Sequence, residues 1–96
     1  MTVARIYIMH AKPGEDAVLE TALRELAVIV PGVPGSEGFE LLRDLGNELR
    51  FIIIEKWDSE ESHKGSISSL PEDLLGRVMG AVDGPLDGSY YDYLVG

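Results

Sequence analysis

Polar and apolar residues alternate from Val3 to His10, with Ala4, Ile6, Ile8 and His10 on one side and Arg5, Tyr7 and Met9 on the other. A period of two over β-branched and aromatic residues predicts a strand. Lys12-Pro13-Gly14 breaks it, and Glu15 and Asp16 then place negative charge where the dipole of a helix start favours it. From Ala17 to Val30 the period lengthens: Leu19, Ala22, Leu23, Leu26, Ala27 and Val30 form one apolar stripe. Glu20 and Arg24 are spaced as an i,i+4 ion pair on the opposite side. Pro31-Gly32-Val33-Pro34-Gly35 ends this helix. Ser36 to Arg43 and Glu48 to Trp57 read as two strands joined by the turn Asp44-Leu45-Gly46-Asn47, an antiparallel hairpin. Ser59 is a candidate N-cap for a second helix. Gly65 and a run of serines interrupt that helix, and it restarts with Pro71 at its first position. Ser89 to Val95 is the last strand. The order β-α-β-β-α-β predicts one ferredoxin-like α+β domain over residues 1–96, with both helices on one face of a four-stranded antiparallel sheet.

One stretch resists alternation. Phe51-Ile52-Ile53-Ile54 is apolar on both sides, the pattern of a strand buried on both faces. Two helices cover only one face, so the other requires a cover from outside the chain. A second copy, packed sheet to sheet by two-fold symmetry, is the economical choice. The cover is expected to lie over Phe51–Ile54 together with Tyr7, Met9, Leu41 and the C-terminal tyrosines.

Charge narrows the partners. With 17 acids against 8 bases the net charge is −9, which disfavours nucleic acid and anionic membrane surfaces. No apolar run is long enough to span a bilayer, and the N-terminus lacks the features of a signal peptide. The expected location is cytoplasmic. The chain has no cysteine, which removes disulfides and thiol chemistry.

Candidate chemistry gathers where the third strand meets the second helix, in Trp57-Asp58-Ser59-Glu60-Glu61-Ser62-His63. Trp57 at a strand end and His63 in the following helix are placed to line a pocket; the plainer alternative is a packing Trp and a solvated His. His10 ends the first strand and is a second pocket candidate. Arg77 is a candidate for anion stabilisation, or else a surface arginine paired with Glu72 or Asp73. Tyr90, Tyr91 and Tyr93 are candidates for hydrogen bonding to a ligand, or for an interface. Two histidines more than fifty residues apart give no metal-ligand spacing. The glycines form no phosphate loop, and no nucleophile elbow is present.

Phe51-Ile-Ile-Ile-Glu55-Lys56-Trp57-Asp58-Ser59-Glu60-Glu61-Ser62-His63-Lys64 resembles the antibiotic biosynthesis monooxygenase-like (ABM) family: an apolar strand, Glu-x-Trp, an acidic helix start, then His or an aromatic. The element order resembles that family over essentially the whole chain. The resemblance implies a dimeric α+β barrel and a small aromatic partner. It also implies oxidation of a phenolic or quinol-type substrate by O2 with no metal, flavin or haem cofactor. It suggests Trp57 as a cavity wall, His63 as a general base and Arg77 as an anion stabiliser; His10 and Tyr91 are candidate substrate contacts from the residues alone. A non-catalytic binding or stress-response module, and an isomerase or cyclase of the same fold, are the alternatives.

Overall fold

The computed structural model describes residues 1–96. Strands β1 (Val3–His10), β2 (Ser36–Asp44), β3 (Asn47–Trp57) and β4 (Asp87–Asp92) form one antiparallel sheet in the order β2-β3-β1-β4. Helices α1 (Asp16–Ile29), α2 (Glu60–Ser66) and α3 (Glu72–Ala81) cover one face. This is the ferredoxin-like α+β arrangement. The second helix is two helices: a 3-10 turn at Ile67–Ser69 and an extended Leu70 separate α2 from α3. Pro71 is the residue before α3 rather than its first position, and its carbonyl accepts from Leu75 N–H. The last strand begins two residues earlier and ends three residues earlier than its sequence suggests. No helix is long and apolar enough to cross a membrane.

The core sits between α1, α3 and the inner face of the sheet. Leu19, Ala22, Leu23 and Leu26 of α1 and Leu74, Val78 and Ala81 of α3 pack on Met9, Phe51, Ile53 and Trp57. The Glu20–Arg24 pair forms at 2.8 Å, and Arg43 of β2 joins Glu20 from the sheet.

Strand parity corrects one expectation. Tyr7, Met9, Leu41, Phe51 and Ile53 all belong to the inner, helix-covered side. The outer side instead carries Ile6, Ile8, Ile52 and Ile54, all half-buried, together with Leu42 (45% exposed) and Tyr91 (52% exposed). An apolar outer strip exists, but it is built from the alternate residues. In a strand every one-residue step changes face, so an unbroken apolar run shows that both faces are greasy without saying which residue faces which way.

Candidate active site

Register places a polar row inside the apolar sheet. Arg5 lies directly between Glu55 of β3 and Tyr90 of β4, and the next row runs Leu41, Ile53, Tyr7 and Gly88. Residues directly opposite in antiparallel strands share a face. Arg5, Tyr7, Glu55 and Tyr90 therefore all project towards the helices. Arg5 turns towards β4, its guanidinium 4.8 Å from the Tyr7 ring centroid and 4.4 Å from that of Tyr90. Gly88 makes this possible: a Cβ there would stand 2.7 Å from Arg5 Nη2 and 2.9 Å from the Tyr7 ring.

Helix α2 lowers His63 onto this row. Ser59 caps the helix, its hydroxyl accepting from Ser62 N–H at 3.1 Å. Gly35, at φ +90°, passes so close to Ser62 that no side chain fits there. Ser66 Oγ donates to the His63 carbonyl at 2.6 Å. His63 is 4% exposed. Its Nε2 meets Tyr7 Oη at 2.7 Å and its Nδ1 meets Tyr90 Oη at 2.6 Å. Trp57, fully buried, stands edge-on to the imidazole with centroids 5.7 Å apart. Its indole N–H donates to Glu55 Oε1 at 2.8 Å. The Glu-x-Trp spacing thereby acquires a physical meaning: residues two apart share a strand face, so the indole reaches back to satisfy a carboxyl only 7% exposed.

Burial sets the protonation states. Desolvation, with Arg5 and then Lys64 adding repulsion, lowers the His63 pKa to about 4, so the ring is neutral at pH 7. Desolvation raises the Glu55 carboxyl, against the opposing Trp57 hydrogen bond and the charge of Arg5. Burial also raises Tyr7, offset by Arg5.

Next to these groups lies a cavity of about 180 Å³. Tyr7, Glu55, His63 and Ser66 supply its polar edge; the remaining walls are apolar, including Met9, Leu26, Ile53 and Val78. Ile67 and Met79, both about half exposed, rim it on the helix side. No three His, Asp or Glu side chains converge to hold a metal ion.

Of the residues singled out from sequence, His63, Trp57 and Tyr90 come together here, His63 on the cavity wall, Trp57 behind it and Tyr90 bonded to the imidazole outside the cavity lining. His10, Tyr91 and Arg77 lie elsewhere. His10 is exposed at the far end of β1, in the outward-facing set. Tyr91 faces outward opposite Ala4, and its neighbour Tyr90 is the tyrosine that reaches His63. Arg77 lies outside the cavity lining, paired with Glu25 at 2.5 Å and with Asp73 at 3.7 Å. The residues not singled out were Arg5, Tyr7 and Glu55. The alternation of β1 already grouped Arg5 with Tyr7 and Met9, which was the available signal.

The fold and the polar-edged cavity define a small α+β protein with a ligand-sized pocket between sheet and helices. The profile of the family described as "Antibiotic biosynthesis monooxygenase" matches residues 1–69, and the chain belongs to that family. It is 32% identical over 62 residues to a heme oxygenase (mycobilin-producing) of Mycobacterium tuberculosis, a match covering 65% of this chain and 59% of the relative. The chain thus matches less than two thirds of that relative's length. Among solved structures, a Chloroflexus aurantiacus J-10-fl protein grouped with the antibiotic biosynthesis monooxygenases superposes with a TM-score of 0.82 at 28% identity, covering 100% of this chain and 96% of its own. SnoaB, a cofactor-independent oxygenase of Streptomyces nogalater, superposes with a TM-score of 0.81 at 13% identity, covering 99% of this chain and 95% of its own, and so shares the fold.

Proposed function

We propose that the protein is a cofactor-independent monooxygenase that oxidises a one- or two-ring hydroxyaromatic with O2. The observation that carries this reading is the cavity: about 180 Å³, apolar on most sides, with a neutral imidazole, a phenol and a carboxyl at one edge. An apolar cavity of roughly 150 Å³ holds one benzene ring, so this one suits a substituted ring or a compact bicycle. Haem, the substrate class suggested by the mycobacterial relative, is far larger.

The net reaction replaces a ring C–H with C=O. The hydroxyarene and O2 give a quinone and water. One oxygen atom becomes the new carbonyl, the other leaves as water, and the substrate supplies all four electrons. His63, acting with the Tyr7 hydroxyl on its Nε2, takes the substrate's hydroxyl proton; the resulting anion is electron-rich enough to reduce O2. Trp57 fixes the imidazole from behind. The apolar walls orient the ring and keep water from competing.

Oxygen uptake by the metal-free protein tests this with phenols, naphthols and dihydroxynaphthalenes, and with hydroxyanthracene as the oversized control. Saturable uptake with the smaller compounds, falling by roughly 10²–10⁴ in His63→Ala, supports the reading. Binding without uptake favours a non-catalytic module, and conversion without uptake an isomerase or cyclase.

The outer strip of Ile6, Ile8, Ile52 and Ile54 supports a second proposal, a homodimer joined through the sheet faces. A monomer by light scattering at micromolar concentration would refute it.

A further inference from the structure

Histidine 63 is bonded at both ring nitrogens, and the two partners have different surroundings. Tyr7, at Nε2, lines the cavity; Tyr90, at Nδ1, does not. Tyr90 is half-buried on β4, a sheet-edge strand, with Lys64 Nζ 5.8 Å from its ring centroid. We propose that Tyr7, His63 and Tyr90 form a proton relay that joins the cavity to solvent at the β4 edge, with Tyr90 as its outer terminus. This rests on the reading of the cavity as the place where a proton is released.

The direction of the hydrogen bonds follows from satisfaction. A neutral imidazole offers one donor and one acceptor. Tyr7 Oη meets His63, the charged group beside it is Arg5, which can only donate, and its neighbours on the cavity wall are mostly apolar. If it accepted from Nε2–H, its own O–H would face the apolar cavity wall with no acceptor. Tyr90 is half-buried as Tyr7 is, but it lies outside that apolar wall on the edge strand, where water can serve as its acceptor. The resting state is therefore Tyr7 O–H donating to Nε2, with Nδ1–H donating to Tyr90 Oη.

Transfer then balances at each atom. The substrate hydroxyl gives its proton to Tyr7 Oη while Tyr7 gives its own to Nε2. Nδ1 passes its proton to Tyr90 Oη, and Tyr90 releases one to water. One proton enters, one leaves, and the ring changes tautomer. The later peroxide anion needs one proton back before water can depart. Running the relay inward at that stage restores the starting tautomer. Arg5 and Lys64 serve the relay by repelling charge on the imidazole, so a proton passes through instead of lodging there. Glu55, the other ionisable group on the cavity wall, is occupied by the Trp57 indole at one oxygen.

Nitrogen-15 NMR of the full chain tests this without substrate. In wild type at pH 7 the His63 ring should be neutral with its proton on Nδ1. Exchange of that proton with water should slow by about 10-fold or more in Tyr90→Phe, which keeps the ring but removes the outlet. Tyr7→Phe, which cuts only the cavity end, should leave that exchange within about twofold of wild type. Equal or faster exchange in Tyr90→Phe, or an imidazolium at pH 7, overturns the relay. Oxygen uptake is a separate arm: if the oxygenase reading holds, Tyr90→Phe lowers kcat with KM unchanged. If wild type itself consumes no oxygen, that reading fails, and the NMR result still decides the relay.

Discussion

The inner face of the sheet has two unlike halves. Under α1, Phe51 and Ile53 meet Leu19, Leu23 and Leu26 in an apolar cluster, with the Arg43 guanidinium over the Phe51 ring at its edge. Under α2, the same face of the sheet presents Arg5, Tyr7, Glu55 and Tyr90 to a histidine. The first half follows the rule for a core. The second buries a carboxyl and an imidazole and leaves Arg5 Nε without a partner. Buried polar groups cost stability unless fully satisfied. A chain this short, with little core to spare, places that cost at one site, as expected where function opposes stability.

Truncating each half should expose the difference. Phe51→Ala removes one of the largest fully buried side chains and should cost about 3–5 kcal/mol in chemical denaturation. His63→Phe keeps a ring in place and should cost much less, because it also removes a buried polar group. A loss in His63→Phe as large as in Phe51→Ala would erase the contrast between the halves.

Acid titration sharpens it further. The folded pKa of His63, about 4, lies below its unfolded value near 6.5. Between those values the unfolded chain binds the proton and the folded one does not. The His63 contribution to stability is thus complete above about pH 6.5 and is lost as pH falls towards 4, on the order of 2 kcal/mol. Glu55 acts in the opposite sense: its raised pKa makes stability fall as pH rises through the carboxyl range. Denaturation between pH 4 and 7 in Glu55→Gln leaves the histidine as the main buried contributor. The slope should flatten when His63→Phe is added, apart from a small contribution at the acid end from Glu20, which hydrogen bonds from Arg24 and Arg43 hold below the usual carboxylate range.

Smaller effects belong to the supports. Ser59→Ala removes the cap that seats α2 and should cost about 1 kcal/mol by thermal or urea denaturation. Arg77→Ala disturbs only exposed ion pairs. Oxygen uptake should stay within about twofold of wild type; a larger loss would bring Arg77 into the site and blur the division.

Much of this was readable beforehand. The element order, the Ser59 cap and the Glu20–Arg24 pair follow from local chemistry, which the chain carries within a few residues. The site required register, which is non-local. Tyr90 and Tyr91 are chemically identical neighbours; only the pairing of Arg5 with Tyr90 decides which one faces His63. Glu55 sat in plain view within Glu-x-Trp, but its inward aim depends on Trp57 facing inward as well. Arg77 was suggested as a site residue by the family resemblance. Its partner Glu25 is 52 residues away on another helix, beyond the reach of spacing.

Gly88 gives these halves one more connection. A residue without a side chain, on the outermost strand, holds open the volume that Arg5 occupies. The charge setting of an inner histidine is therefore adjustable from the rim of the protein: any methyl added at that rim would displace a cation before it displaced a backbone. The basicity of the site and the shape of the sheet edge are, at this position, one inherited trait.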